Sequence, residues 1–468
     1  MNLLHFPLDN HTMKKFSRTI SGVTPLAVMA EPQGCPSNCV YCPTYPDAPK
    51  SYTPDSPAVM RARQCNYGAV AQVQSRLNSL AAMGHAVDKI ELIIMGGTFL
   101  AYPGSYQYEF IKGCYDALNG SISASLQNSQ VLNESARHRC IGLCIETRPD
   151  WCTETLIMRM LEFGTTRVEL GVQTIDDGIY SLVGRGHRVD AVIEATRLLK
   201  QYGLKVHYHW MPGLPGSSPE HDLAMTKRLF ADSNFKPDGL KLYPTLVVAG
   251  TELESWYNEG RYRPYGMEEL SQLMVQIKSI IPGYVRVSRV MRDMPTKFIV
   301  AGCRDLALRS SLKKKMDELD IRCRCIRCRE YGHRARDGWK FGAPSLRRHD
   351  YTASDGQEVF LSFEDENGTI FGLLRLRINN SPPQNGHKAI VREIHVYGTE
   401  VPLGQRKQAA VQHQGLGAKL IREAEKISRE EFGAARLAVI SGVGARNYFR
   451  NEFGYQLEHT YMVKGLAL

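Results

Sequence analysis

No stretch of about 18 uninterrupted apolar residues occurs in the chain, so no transmembrane helix is expected. The opening MNLLHFPLDNHTMKKF lacks an apolar segment with a cleavage site behind it, which argues against a secretory signal peptide. Cysteine is too sparse for a disulfide scaffold, at twelve among 468 residues. Its clustering favours metal ligation in a reducing cytoplasm instead. What remains is ordinary globular composition, 43% hydrophobic and 23% charged. The length predicts two or three domains, each able to bury its own core.

The net charge of +10 is unevenly placed. Residues 286–349 hold 18 Lys/Arg against 7 Asp/Glu, a net +11, so the remainder is close to neutral. Such a block is the electrostatic footprint of a nucleic-acid partner, with a solvated basic surface as the plainer alternative. Residues 1–25 carry Lys14, Lys15 and Arg18 and read as a short basic arm, either a second phosphate contact or ordinary surface.

The sequence is organised around Gly34-Cys35-Pro36-Ser37-Asn38-Cys39-Val40-Tyr41-Cys42-Pro43. Its C-x3-C-x2-C spacing places three thiols in one loop. Three thiolates fill three corners of a 4Fe–4S cube and leave one iron without a protein ligand. The alternatives are a structural zinc site or a chance cluster. The loop resembles the cluster loop of radical S-adenosylmethionine (SAM) enzymes. That resemblance implies that the open iron chelates SAM and that reductive cleavage releases a 5′-deoxyadenosyl radical.

Strand and helix patterns alternate from here at intervals of about 30 residues, the signature of parallel βα units. Apolar runs at 25–30, 89–95, 140–145, 166–170, 205–209 and 239–243 read as strands. Helices are expected near 67–83, 105–119, 153–163, 190–202 and 219–231, and residues 43–62 read as a loop. Each strand ends in polar or glycine-containing sequence, and the C-terminal strand ends are where such barrels carry their chemistry. The fold class is therefore α/β, with a partial (β/α)6 barrel over 26–285. Cys114, Cys140, Cys144 and Cys152 lack ligand spacing and are expected as buried reduced thiols. Within the barrel, the radical-SAM resemblance gives Gly96 and Gly97, after the second strand, a contact with the SAM amino group.

Residues 286–345 form a basic, cysteine-rich linker. Cys323, Cys325, Cys328 and His333 lie within eleven positions, and zinc takes four such ligands tetrahedrally. Cys303 is the second choice for the fourth ligand, and reduced cysteines on a basic loop are the alternative to a zinc knuckle. Arg322, Arg324, Arg327 and Arg329 surround these thiols and are candidate RNA contacts. Residues 342–350 read as a linker into a different domain.

Residues 346–468 read as a smaller α+β domain. Two strands at 359–363 and 369–377 meet at Asn367-Gly368, a good hairpin turn. A third follows at 389–397. Gln412-His-Gln-Gly415-Leu416-Gly417-Ala418 opens a helix to about 432, and glycines there expose backbone N–H groups to a phosphate. Then come a strand at 436–440 and a short helix carrying Tyr448 and Phe449. This ordered set resembles the acetyl-CoA core of Gcn5-related acetyltransferases; the alternative is an unrelated domain whose glycines merely cap a helix.

Together with Met95-Gly-Gly-Thr-Phe99, Gly171-Val-Gln173, Met211-Pro-Gly213, Leu242-Tyr-Pro-Thr245, Val391-Arg-Glu-Ile-His-Val-Tyr-Gly398 and Val439-Ile-Ser-Gly-Val-Gly444, the three segments resemble the catalytic subunit of Elongator. Its members build a carboxymethyl arm on C5 of the tRNA wobble uridine from acetyl-CoA. The resemblance implies SAM contacts at Gly96, Gly97, Thr98 and Gln173. It implies acetyl-CoA contacts at Lys89, Glu393, Ile394, His395, Val396, Leu416, Gly417, Ala418, Tyr448 and Phe449. Tyr448 and Glu393 are the catalytic candidates. The first cysteine gap is shorter than in eukaryotic members and the N-terminal arm is short. Both predict a bacterial or archaeal type that acts without the other Elongator subunits, with an electron donor for the cluster and the tRNA anticodon stem-loop as partners. Two competing readings are a protein lysine acetyltransferase with a non-catalytic barrel and a tRNA-binding scaffold with structural metal sites.

Overall fold

The computed structural model describes residues 19–20, 22–384, 386–398 and 415–467. Lys14, Lys15 and Arg18 of the expected basic arm, and Gln412 to Gln414 of the glycine turn, lie outside the described residues. The expected partial barrel is a curled parallel sheet, with strands β1 (Thr24–Met29), β2 (Lys89–Met95), β3 (Arg139–Thr147), β4 (Arg167–Gln173), β5 (Lys205–Trp210), β6 (Gly239–Leu242) and β7 (Arg286–Val290) in that order. Helices Ala69–Ala82, Gly104–Asn119, Glu154–Glu162, Val189–Gln201 and Pro219–Ala231 fall where the apolar periodicity puts them. Cys114, Cys140, Cys144 and Cys152 are all buried free thiols. No helix among the described residues is long and apolar enough to cross a membrane.

Three segments differ from expectation. The basic segment opens with β7, which pairs in parallel with β6. Its Arg-Val-Ser-Arg-Val sequence resembles a polar linker because one of its faces lines a polar cavity. Residues 57–62 of the expected loop belong to helix Pro57–Gln64, which starts on proline, where proline costs nothing because the first-turn N–H has no intrahelical partner. Residues 345–350 of the expected linker belong to the edge strand β8 (Ser345–Thr352), almost wholly exposed and therefore without an apolar pattern.

The C-terminal sheet continues with β9 (Gly356–Glu364), β10 (Ile370–Asn379), β11 (Ala389–Val396), β12 (Arg436–Val439), β13 (Gln456–Glu458) and β14 (Tyr461–Gly465). Its order is β8-β9-β10-β11-β12-β14-β13. Only the β11–β12 pair is parallel, and helix Leu416–Glu430 lies in the chain between those two strands.

The two domains share one packed core. Ile390, Tyr397, Ala438, Ile440 and Val443 belong to the same buried cluster as the barrel strands. At the seam a Cβ on Gly442 would stand 2.1 Å from the Ile141 carbonyl oxygen, so only glycine lets the C-terminal turn lie on β3. Charge locks the seam as well. The fully buried Arg392 guanidinium reaches Asp238 Oδ1 at 2.6 Å and Glu358 Oε2 at 2.9 Å. Arg375 contacts Asp238 at 3.5 Å and Glu393 at 2.8 Å. Burial opposes the charge on Asp238, but Arg392, Lys200 and Arg375 outweigh it and hold the carboxyl well below its usual range. Removing one member of such a network strands the others without compensation. Asp238→Asn is therefore expected to cost about 3–5 kcal/mol in denaturant unfolding; a loss below about 1 kcal/mol would show that the network is not holding the seam.

Candidate active site

The period of two along a strand decides what faces the barrel interior. In β4, Val168, Leu170 and Val172 are buried under helices, whereas Arg167, Glu169, Gly171 and Gln173 line a cavity. In β5 the same alternation sends Val206, Tyr208 and Trp210 outward and Lys205, His207 and His209 inward. Lys89 and Glu91 of β2, Lys241 of β6 and Arg286 and Ser288 of β7 complete the polar wall. This cavity, about 1170 Å³, runs from the cysteine loop through the barrel to β11 and the helix carrying Tyr448. Sequence reasoning placed the chemistry at the strand ends and missed this lining, although Arg-Val-Glu-Leu-Gly-Val-Gln shows the alternation.

At one end stand Cys35, Cys39 and Cys42. The loop is pinned by Ser37, whose hydroxyl donates to the Gly184 and Arg185 carbonyls, each at 2.9 Å. Arg185 Nη1 donates to Cys39 Sγ at 3.6 Å. Burial raises the Cys39 thiol pKa, but Arg185 and the Ser37 hydroxyl outweigh it and bring the net value down. Cys42 is pushed up to about 12 by burial beside Cys39. Among the described residues, two groups of metal-type ligand atoms converge within 4.8 Å, and this triad is not one of them. That spread suits a multi-iron cluster, whose ligands sit on separate irons, better than a single ion.

The predicted SAM residues divide. Gly97, Thr98 and Gln173 line the cavity, whereas Gly96 does not and its carbonyl accepts from Tyr102 Oη at 2.9 Å. Gln173 has φ of 74°, a left-handed conformation rare for a non-glycine residue, and its Oε1 is buried without a partner. Thr147 Oγ1 and Arg148 Nη1 are equally buried, unpartnered and on the same wall. Buried polar atoms left unpaired beside a cavity mark places for a polar ligand, and these two residues were not foreseen.

At the other end lie Glu393, Ile394, His395, Val396, Gly417, Tyr448 and Phe449, and Lys89 joins them on the same cavity wall. Leu416 packs instead into the C-terminal core, and Ala418 is off the cavity. The Tyr448 side chain is 43% exposed, and its ring meets Phe449 and Phe453 edge-on at 5.4 and 5.3 Å. Burial and Glu452 raise its phenol pKa, so it holds its proton at neutral pH. Its hydroxyl sits 3.1 Å from where a Gly417 Cβ would be. Glu393 is different. It pairs with Lys205 at 3.2 Å and Arg375 at 2.8 Å, and these cations overcome burial and hold its carboxyl far below the usual range. A carboxylate so held has no proton to give, which removes Glu393 as a general acid.

The basic segment also divides. Cys323, Cys325 and Cys328 bring their sulfurs within 4.8 Å of one another, compact enough for three corners of a zinc tetrahedron. His333 is not among them; its Nε2 lies 2.9 Å from Glu330 Oε1, and Cys303 is also outside the group. Arg329 is a structural strut, donating to the Arg324 and Gly283 carbonyls and to Glu364 at 2.7–2.9 Å. Arg327 lines the cavity, where burial beside Arg309 and Arg286 brings it down to about 10. Arg322 and Arg324 are exposed.

Comparison with known proteins accounts for both ends of the cavity. The radical SAM superfamily profile matches residues 32–229, the radical SAM C-terminal domain profile 237–318, and the acetyltransferase (GNAT) family profile 324–455. A tRNA uridine(34) acetyltransferase from Dehalococcoides mccartyi is 59% identical, covering 97% of this chain and 100% of its own. Human Elongator complex protein 3 is 42% identical, over 96% of this chain and 85% of its own. The solved structure of an N-terminally truncated archaeal Elp3 from Methanocaldococcus infernus superposes with a TM-score of 0.86 at 44% identity, covering 96% of this chain and 100% of that one. Radical SAM domains imply a 4Fe–4S cluster and SAM, and GNAT domains imply acetyl-CoA.

Proposed function

Because the chain belongs to the family of the tRNA uridine(34) acetyltransferases and Elongator complex protein 3, we propose that it is a tRNA carboxymethyluridine synthase, which uses SAM and acetyl-CoA to modify C5 of the wobble uridine. One observation carries this reading: the three loop thiols and Tyr448 line a single cavity. An amine acetyltransferase has no use for a thiol triad at the far end of its acyl site, and a scaffold has no use for the connection between them.

Cys35, Cys39 and Cys42 would hold the cluster, which with SAM supplies a carbon radical able to take hydrogen from the acetyl methyl group. Gly97, Thr98 and Gln173 would bind SAM, joined by Thr147 and Arg148 through their unpartnered atoms. Lys89, Ile394, His395, Val396 and Gly417 would lie along acetyl-CoA. The Lys205–Glu393–Arg375 ion pairs fix β11 against the barrel and so position the acyl end. The methyl carbon would bond to C5, and the C5 hydrogen would leave as a proton while one electron returned to the oxidised cluster. The Tyr448 hydroxyl would protonate the departing CoA thiolate as water hydrolyses the thioester, leaving a carboxymethyl group. tRNA would stimulate this hydrolysis. An external reductant would serve the cluster, and no other Elongator subunit would be needed. Zinc at Cys323, Cys325 and Cys328 would brace the segment between the domains.

The test is anaerobic incubation of the reconstituted protein with SAM, acetyl-CoA, reductant and tRNA, followed by nucleoside mass spectrometry. Carboxymethyluridine supports the proposal; acetyl-lysine without modified nucleoside overturns it. The exposed pair gives a second prediction. Arg322→Glu with Arg324→Glu should weaken tRNA binding and reduce the slope of log K against log salt by about 0.7–0.9 per lost phosphate contact, whereas Arg329→Gln should lower stability instead. An unchanged slope in the double variant would remove this surface from the RNA path.

A further inference from the structure

Midway along the barrel wall lies a cluster that the proposed chemistry leaves unused. Glu146, Glu169 and His209 bring their ligand atoms within 4.8 Å of one another, an arrangement that would suit a divalent cation. Lys241 forecloses that use. Its ammonium contacts Glu169 and reaches Glu146 Oε1 at 3.0 Å, so an internal cation already bridges the carboxylates. Burial works against both charges, yet the contact wins and keeps Glu169 well below, and Lys241 well above, their usual ranges. An ammonium has three N–H donors, and these two carboxylates take two of them. Glu169 Oε2 also meets His209 Nε2 at 3.3 Å, which leaves Oε1, 3.5 Å from Arg167, as the oxygen able to accept from a ligand. All four side chains line the cavity. Tyr243, also on the wall, sets its ring 5.3 Å from the His209 ring.

Charges held inside a barrel cost desolvation, and apolar residues of similar volume would be no less stable. The wall therefore offers a ligand a fixed pattern, a cationic donor directly beside carboxylate acceptors, with an aromatic face nearby. A metal ion is excluded by Lys241. A phosphate is excluded by the two carboxylates. What matches is a neutral planar ring that alternates carbonyl acceptors with an N–H donor.

We propose that Lys241 and Glu169 read the imide edge of the uracil ring, with the remaining Lys241 N–H donating to a ring carbonyl and Glu169 accepting from N3–H. This rests on uridine being the substrate. The base must leave its stack to reach a cavity inside the barrel, and a flipped base is read on its Watson–Crick edge against aromatic walls. Cytosine presents a lone pair at N3, which would face the Glu169 carboxylate. The pair is therefore specificity-determining: it selects uridine over cytidine at the position modified, independently of the phosphate contacts that bring tRNA to the protein.

The test uses the full chain and two anticodon stem-loop RNAs that differ only in carrying uridine or cytidine at the wobble position. The parent is expected to bind the uridine form roughly tenfold tighter, the lower range for one bidentate base contact. Lys241→Met and Glu169→Gln should each bring the two affinities within about twofold, with the salt slope unchanged because the phosphate contacts remain. The paired Glu169→Gln/Lys241→Gln variant retains a neutral hydrogen-bonded couple and guards against a fold defect in either single change. A parental uridine preference in the folded variants overturns the proposal. So does a fall in SAM affinity with that preference intact, which would assign the cluster to the adenine ring. A parent that modifies uridine without discriminating the two RNAs sinks this inference alone; a parent that modifies no uridine sinks the function it rests on.

Discussion

Cys39→Ser is expected to abolish the iron–sulfur absorbance and all 5′-deoxyadenosine formation while tRNA affinity stays at the parental level. Three thiols supply all the protein ligands the loop offers, so losing one leaves two. A serine oxygen is a poor substitute, because clusters of this kind select soft thiolate donors. The position is also the most supported of the three. Cys39 is buried, contacted by Ser37 Oγ at 3.5 Å and by the Arg185 guanidinium. The exposed arginines proposed as phosphate contacts lie in a separate segment, around Cys323, so losing this thiol should leave them in place. Iron content, absorbance and SAM turnover measured together decide the matter. Retention of iron with SAM cleavage would remove the loop from the cofactor site.

The second large effect is expected at the opposite end of the cavity. Tyr448→Phe should lower tRNA-stimulated acetyl-CoA hydrolysis by roughly 10²–10⁴-fold, the range for loss of a general acid, while SAM cleavage and binding of both substrates persist. Glu393 is ionised by Lys205 and Arg375 and cannot donate. Tyr448 keeps its proton, lines the cavity, and places its hydroxyl at the Gly417 turn, where the helix Leu416–Glu430 begins. Its ring is held by Phe449 and Phe453, which phenylalanine at 448 would preserve. Free thiol release, followed with and without tRNA, is the measurement. Hydrolysis at the parental rate would strip Tyr448 of its role and leave the ring as packing alone.

Local sequence determined a good deal. The run Lys89-Ile-Glu-Leu-Ile-Ile-Met95 is a strand over those same residues, and helix Pro219–Ala231 begins at its proline as expected. Both follow from side-chain periodicity, proline geometry and capping, which act within a few residues. The cysteine loop and the helix that starts after Gly415 were legible for the same reason: their signals are written in adjacent positions. Tertiary structure alone decided the rest. That Glu169 and Lys241 face one cavity depends on two strands curling into one barrel. That Arg392 meets Asp238 depends on two domains docking across 154 positions of sequence. His333 left the thiols for Glu330, and Arg329 became a strut while Arg327 lines the cavity, because each long side chain goes to whichever partner the fold brings within a few ångströms. A buried charge must find its counter-charge wherever the chain supplies one, and nothing in local periodicity encodes where that will be.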